Sequence, residues 1–346
     1  MKKLLTALFA IALSATAAMA ANKYDNPDTI VVARDGTGEF RNISEAIEVC
    51  RAFMDYHKVI YVKRGTYKEK LEIPTHLTNI EICGEDALTT IITWDDHANI
   101  MMPSAYDPIA IERHPTADNQ HPTPSNYHPI GTFRTFTLRV CGSDITLKNI
   151  TIENNSARLG QAVALHTEGD RLRFIGCRFL GHQDTVYTGR GGTRLLFRDC
   201  YIEGTTDFIF GPATAWFEHC TIHGKVNSYI TAASTPKDVD YGYVFSNCTV
   251  TAADSVTSLY LGRPWRDYGY TLFMNCELPG VICPEGWHHW EQHREQTARY
   301  FEYNNRGEGA NPANRVGWSR QLTKKEAQQI TLDRVFQISS SWLLKH

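Results

Sequence analysis

The stretch FIGCRFLG (174–181) returns along the chain as FRDCYIEG (197–204), FEHCTIHG (217–224), FSNCTVTA (245–252) and FMNCELPG (273–280). An earlier version, LKNITIEN (147–154), lacks the cysteine. The cysteines of the phrase are separated by 23, 20, 28 and 28 residues. Repeats of that length, carrying short alternating runs and no helix, point to a parallel β-helix. One coil cannot bury its inner face alone, so stacking supplies the core and the phenylalanine slot becomes an internal column. A leucine-rich solenoid is the competing repeat fold, but the leucine and asparagine framework it needs is absent. The fold expected is therefore all-β: a right-handed single-stranded parallel β-helix with short capping helices at its ends, where bare strand edges need cover. Asn42 and Glu45 have capping-box spacing ahead of a helical pattern from Ile43 to Phe53. Thr323 and Glu326 open a second short pattern that runs through Ile330.

The first twenty residues read as a signal peptide. Lys2 and Lys3 form the basic start, Leu4 to Leu13 the apolar middle, and Ala18-Met19-Ala20 the cleavage site. The apolar stretch is short for a membrane anchor, and no later segment suits one. The mature chain, 21–346, is expected to be exported as one β-helix domain, periplasmic or secreted, with no membrane anchor. A formal net charge of −3 gives no basic face for nucleic acid. The stretch 99–131 breaks the rhythm, is rich in proline and reads as a long surface loop. Its His114, His121 and His128 are irregularly spaced and read as solvated histidines, not metal ligands.

Nine cysteines in an exported chain raise the question of disulfides. The number is odd, five share the repeat slot, and neither a CxxC pair nor a zinc-spaced cluster occurs. They read best as small buried hydrophobes along the core. A disulfide between stacked coils is the alternative, because stacking brings Cα atoms within bonding range.

Polar residues keep the same rhythm. Gln161, Asp184 and Asp207 fall at intervals of 23, within GQAVAL (160–165), GHQDT (181–185) and DFIFG (207–211). Asp207 and Arg263, of LGRPW (261–265), each lie 13 residues before a repeat cysteine. On stacked strands about 4.8 Å apart these side chains form one column, with Arg263 two coils beyond Asp207, roughly 10 Å along the axis. Arginine beside Asp207 favours its ionised form and suits it as a nucleophile. A second carboxylate nearby is pushed toward protonation, which suits Asp184 as a general acid that later acts as base. Gln161 and Gln183 bring N–H donors for an oxyanion. Gln183 and Asp184 are adjacent and would face opposite ways on a regular strand, so both reach one site only if the strand ends or bends there. The bland alternatives are an amide ladder for Gln161, a surface ion pair for Arg263 and a core position for Trp265. Tyr187 and Phe208 line the groove or fill the interior; alternation does not decide which.

At these phrases the chain resembles the pectinesterases, pectin methylesterases of the parallel β-helix type. The resemblance covers nearly the whole mature chain, from VVARDGTGEFRNISEAI (31–47) and YVKRGTYKEKLEI (61–73) to EYNNRGEGA (302–310) and RVGW (315–318). It implies Asp207 as nucleophile, Asp184 as proton donor and Gln183 as transition-state stabiliser. Gln161, Arg263, Trp265 and Thr132 of GTFRT match substrate-binding positions. The implied reaction is hydrolysis of galacturonate methyl esters in pectin through an aspartyl acyl-enzyme, by a monomer that uses no metal or cofactor.

Two rivals share the fold. A polygalacturonase or pectate lyase would shorten the polymer, and calcium-dependent lyases need more carboxylates than are gathered here. A non-catalytic carbohydrate-binding solenoid would have no use for a complete acid, base and donor set.

Overall fold

The computed structural model describes residues 22–103, 127–291 and 293–337. Its strands form three long parallel sheets, one of eleven strands and two of seven; seven coils contribute a strand to each, and the coils at the two ends only to the first. Leu165–Thr167 lies in the third sheet, Leu172–Ile175 in the first and Arg178–Leu180 in the second. Val186–Thr188 then returns to the third sheet, beside Leu165–Thr167. The chain is a parallel β-helix.

Register follows the repeat. Phe174 pairs with Phe197, Phe197 with Phe217, Phe217 with Phe245 and Phe245 with Phe273. Their rings stack at centroid distances of 4.6, 4.7, 4.4 and 4.3 Å, and all five are fully buried. Burying a phenylalanine side chain is worth roughly 1.5–3 kcal/mol, so this column is a large share of what holds adjacent coils together. Cys177, Cys200, Cys220, Cys248 and Cys276 form a second buried column. All nine cysteines are free, and the repeat thiols donate to backbone carbonyls, Cys200 Sγ to Phe174 O at 3.3 Å for example. The residue before each of these five cysteines turns the chain from first to second sheet with positive φ: Asp199, His219, Asn247 and Asn275 lie between 52° and 55°, and Gly176 at 60°. Asparagine, aspartate and glycine accept that left-handed conformation at least cost.

The ends differ from expectation. Helix α1 (Ile43–Glu48) packs against the first coils, but Asn42 makes no side-chain cap. The Glu69 carboxylate takes the backbone N–H groups of Ile43 and Ser44 instead, at 3.0 Å each. The Thr323–Glu326 capping box forms and opens α2 (Lys324–Ala327). The next helix, α3 (Leu332–Phe336), does not cover the last coil. Val335 and Phe336 pack on the outer face of the first sheet, against Leu196, Trp216, Val244 and Leu272. The last coils are sealed by a loop that brings Val316 and Trp318 onto the core, Trp318 edge-on to Tyr300.

The leader and most of the 99–131 insert, with His114 and His121, lie outside the described residues. The insert's described ends, Met101–Pro103 and Tyr127–Pro129, pair antiparallel, so it is anchored by a two-stranded ribbon. Among the described residues no helix is long and apolar enough to cross a membrane.

Candidate active site

The polar column stands on the third sheet. Asp184 and Asp207 each sit two residues ahead of a strand, Val186–Thr188 and Ile209–Gly211, and Val186 pairs with Ile209. Both aspartates have left-handed backbone, φ 66° and 49°. Aspartate tolerates that conformation better than most residues, and the same backbone geometry recurs at the corners between sheets. It also answers the question of adjacent side chains, because Gln183 and Asp184 lie in a turn and not on a regular strand. Neighbouring coils clamp the turns: Asp184 N–H donates to Thr206 O at 3.1 Å, and Asp207 N–H to Tyr229 O at 2.9 Å.

Arg263 follows strand Leu259–Gly262, two coils beyond Asp207, and reaches back across Ser228–Ala233. Its Nε donates to Asp207 Oδ1 at 3.0 Å and its Nη2 to Oδ2 at 2.7 Å. The guanidinium lies between the rings of Tyr229 and Trp290, 4.0 and 3.8 Å from their centroids. A planar cation covered on both faces and hydrogen-bonded along one edge is fixed in position.

Burial pushes the Asp184 carboxyl well above the usual carboxylate range; the Asp207 charge adds to this, and Arg263 opposes it. Asp207 departs from the sequence expectation. Burial raises its carboxyl too, and this outweighs the downward pull of the Arg263 hydrogen bonds and charge. Arginine therefore limits the rise instead of producing a fall. The asymmetry between the two survives, with Asp207 the more acidic.

The regular beat of 23 does not extend to Gln161. Leu165 pairs with Val186, a step of 21, and Ala162 N–H donates to Gln183 O at 3.1 Å. Gln161 thus aligns with His182, two residues off the Asp184 register. The missing two residues reappear in the connection from Thr188 to Leu195, which restores the step of 23 in the first sheet. The Gln161 carbonyl is held by the Ala98 N–H at 2.8 Å.

Trp265 is partly exposed and tilts against Phe210 at 5.8 Å, beside Tyr187 and Trp290. Tyr187 lies on this outer face, whereas Phe208 fills the interior. Thr132 opens a 3-10 turn (Thr132–Arg134) whose Phe133 stands edge-on to Tyr187 at 4.8 Å, at the margin of the same face. Sequence reading missed Tyr229 and Trp290. Tyr229 was open to detection, since it lies one coil, 22 residues, beyond Asp207 on the same sheet; Trp290 comes from an irregular loop with no periodic signal.

The third sheet of this β-helix thus carries two buried aspartates, one gripped by arginine beside an aromatic rim. The chain belongs to the pectinesterase family, whose model matches residues 29–110 and 122–339, and so to the carboxylic ester hydrolases that act as pectin methylesterases. It is 36% identical over 299 residues to pectinesterase 31 of Arabidopsis thaliana, covering 86% of this chain and 88% of that protein. Carrot pectin methylesterase superposes with a TM-score of 0.78 at 30% identity, over 92% of this chain and 95% of that one. Pectin methylesterase PemA from Erwinia chrysanthemi gives 0.72 at 26% identity, over 90% and 97%.

Proposed function

We propose that this chain removes methyl groups from the galacturonate esters of pectin through a covalent intermediate on Asp207. A solved pectin methylesterase in complex with a hexasaccharide, 27% identical with a TM-score of 0.71, supports a pectin chain as the ligand of the groove. Asp207 Oδ attacks the ester carbonyl carbon. Gln183, with Gln161, donates N–H to the oxygen that becomes negative. The tetrahedral species collapses, the C–OCH3 bond breaks, and Asp184 gives its proton to the leaving oxygen, so methanol departs and an anhydride remains. Asp184, now a carboxylate, takes a proton from water, whose oxygen attacks the substrate acyl carbon. Asp207 leaves as carboxylate and Asp184 is protonated again.

The carrying observation is the asymmetry of the pair: Asp207 gripped by Arg263, Asp184 buried with burial favouring its proton. Trp265 and Thr132 border the face on which the polymer lies. The leader at 1–20 directs export to the periplasm or medium, and the chain acts as a monomer. Asp207→Asn should abolish methanol release, and hydroxylamine added during turnover should replace water at the acyl carbon, giving an enzyme-dependent yield of galacturonyl hydroxamate with the wild type. Methanol release by Asp207→Asn at the wild-type rate would sink the mechanism.

A further inference from the structure

Trp290 covers the Arg263 guanidinium from a backbone that resists the position. Its φ is 66°, and that of His293, three residues on, is 87°. A bulky side chain in the left-handed region is an outlier, and such strain persists only where surrounding structure fixes it. Trp290 N–H donates to His288 Nδ1 at 3.2 Å, but that contact lies within the same loop and cannot anchor it to the site.

Arg294 supplies the anchor. Its Nη1 donates to Pro264 O at 3.2 Å and to Trp265 O at 2.9 Å, in the bend that directly follows Arg263. Its guanidinium carbon lies 5.6 Å from the Trp290 ring centroid, and that of Arg263 lies 3.8 Å from the same ring. Two cations beside one indole repel each other, so the second needs firm partners to stay. Its acids, Glu291 at 3.0 Å and Asp267 at 4.0 Å, are mostly exposed and contribute little. The Arg294 side chain itself is only 15% exposed, and the two carbonyls fix it. Farther from the site, Thr297 Oγ1 donates to Asp267 O and Arg299 N–H to Gly269 O at 2.8 Å. Those contacts join the same two loops without Arg294, so removing its side chain frees only the end beside Arg263.

We propose, resting on the pectin methylesterase reading, that Arg294 is a positioning residue for ester hydrolysis, holding Trp290 over Arg263 and thereby Arg263 in its two-bond contact with Asp207. Arg294 acts through those residues and not on the substrate carbon. Its loss lets the Arg263 guanidinium drift from the Asp207 oxygens. Arg263 opposes the upward push of burial on Asp207, so a weaker grip leaves the proton on Asp207 to higher pH. Asp184 and, from the interior, Tyr300 also face Asp207, and His288 and His289 stand near Arg263. Substituting Arg294 changes none of these.

The test measures methanol release from methylated pectin against pH for wild type, Arg294→Ala and Arg294→Lys, with thermal unfolding as the check on folding. In Arg294→Ala kcat should fall about tenfold, more than KM changes, because a catalytic group is displaced. The acid limb of kcat/KM should move to higher pH. Arg294→Lys should recover part of kcat, since an ammonium still donates to both carbonyls. A lower Tm with kcat and the acid limb as in wild type would mean a structural staple only, and overturns the proposal. A crystal structure of Arg294→Ala gives a readout independent of turnover. Arg263 should lose at least one of its two hydrogen bonds to Asp207, with Trp290 withdrawn from its face; both contacts intact overturns the proposal. No methanol from the wild type would instead defeat the esterase reading, and the crystal structure would then decide the role of Arg294.

Discussion

Arg263 and Asp207 meet edge to edge through two parallel hydrogen bonds, although 56 residues separate them in sequence. The contact spans two coils and depends on the planar fork, since an ammonium cannot present two parallel donors to one carboxylate. Arg263→Lys keeps the charge and loses the geometry. We expect kcat/KM for methanol release to fall about a hundredfold, near 3 kcal/mol, within the range measured for buried charge pairs. A loss under threefold would show that charge alone suffices.

Trp290 covers one face of that guanidinium. A desolvated cation–π contact is worth about 2 kcal/mol. Trp290→Ala should therefore lower kcat/KM roughly tenfold or more while the unfolding midpoint moves little. Full activity in this variant would mean that Tyr229 and Asp207 hold the arginine without help.

Asp184 links the site to stability. Its carboxyl titrates above the ordinary range when folded, so the folded chain holds this proton more tightly than the unfolded chain. The associated stability is complete below the unfolded value and drains away as pH rises through the raised folded value. Asp184→Asn fixes a neutral side chain and removes that loss. Its Tm should exceed the wild-type Tm at pH 8, with the gap closing by pH 4. A gap that is absent at pH 8, or wider at pH 4, would contradict the assignment.

Phe217 lies in the middle of the internal column, between Phe197 and Phe245. Phe217→Ala leaves a cavity that the flanking rings cannot close without leaving their own register. The expected cost is about 3–5 kcal/mol, read as a lower urea midpoint. An unaltered midpoint would mean that coil stacking does not rely on this slot.

How far the sequence revealed this molecule depended on what each residue answers to. The Phe-x-x-Cys slots face the interior of every coil, so packing repeats and the pattern shows through. The left-handed corners went unread, although Gly176, Asp199, His219, Asn247 and Asn275 recur directly ahead of the cysteines. Asp184, Asp207 and Arg263 sat in the correct sheet because their strands keep that frame. Gln161 was placed two residues out, because a third-sheet step of 21 hides behind a first-sheet step of 23. Glu69 as the cap of α1, and Trp290 over Arg263, are contacts between distant segments with no local rule. The pull of Arg263 on Asp207 was misjudged because burial is not visible in a string of residues.

Coils differ in length: Leu172 to Leu195 takes 23 residues, Leu195 to Ala215 takes 20 and Ala215 to Tyr243 takes 28. The paired strands nonetheless stay in register, so the corners absorb every surplus. The bend from third to first sheet grows from 212–213 in one coil to 234–242 in the next, about two doublings at roughly 0.6 kcal/mol of closure entropy each. The scaffold thus separates two kinds of sequence, a frame that tolerates no slippage and bends that can be lengthened freely. Splicing a foreign peptide into a bend between the first and second sheets, such as the turn at 85–89 with its exposed Leu88, should leave the aspartates of the third sheet where they are. New surface functions can be added to this solenoid one bend at a time.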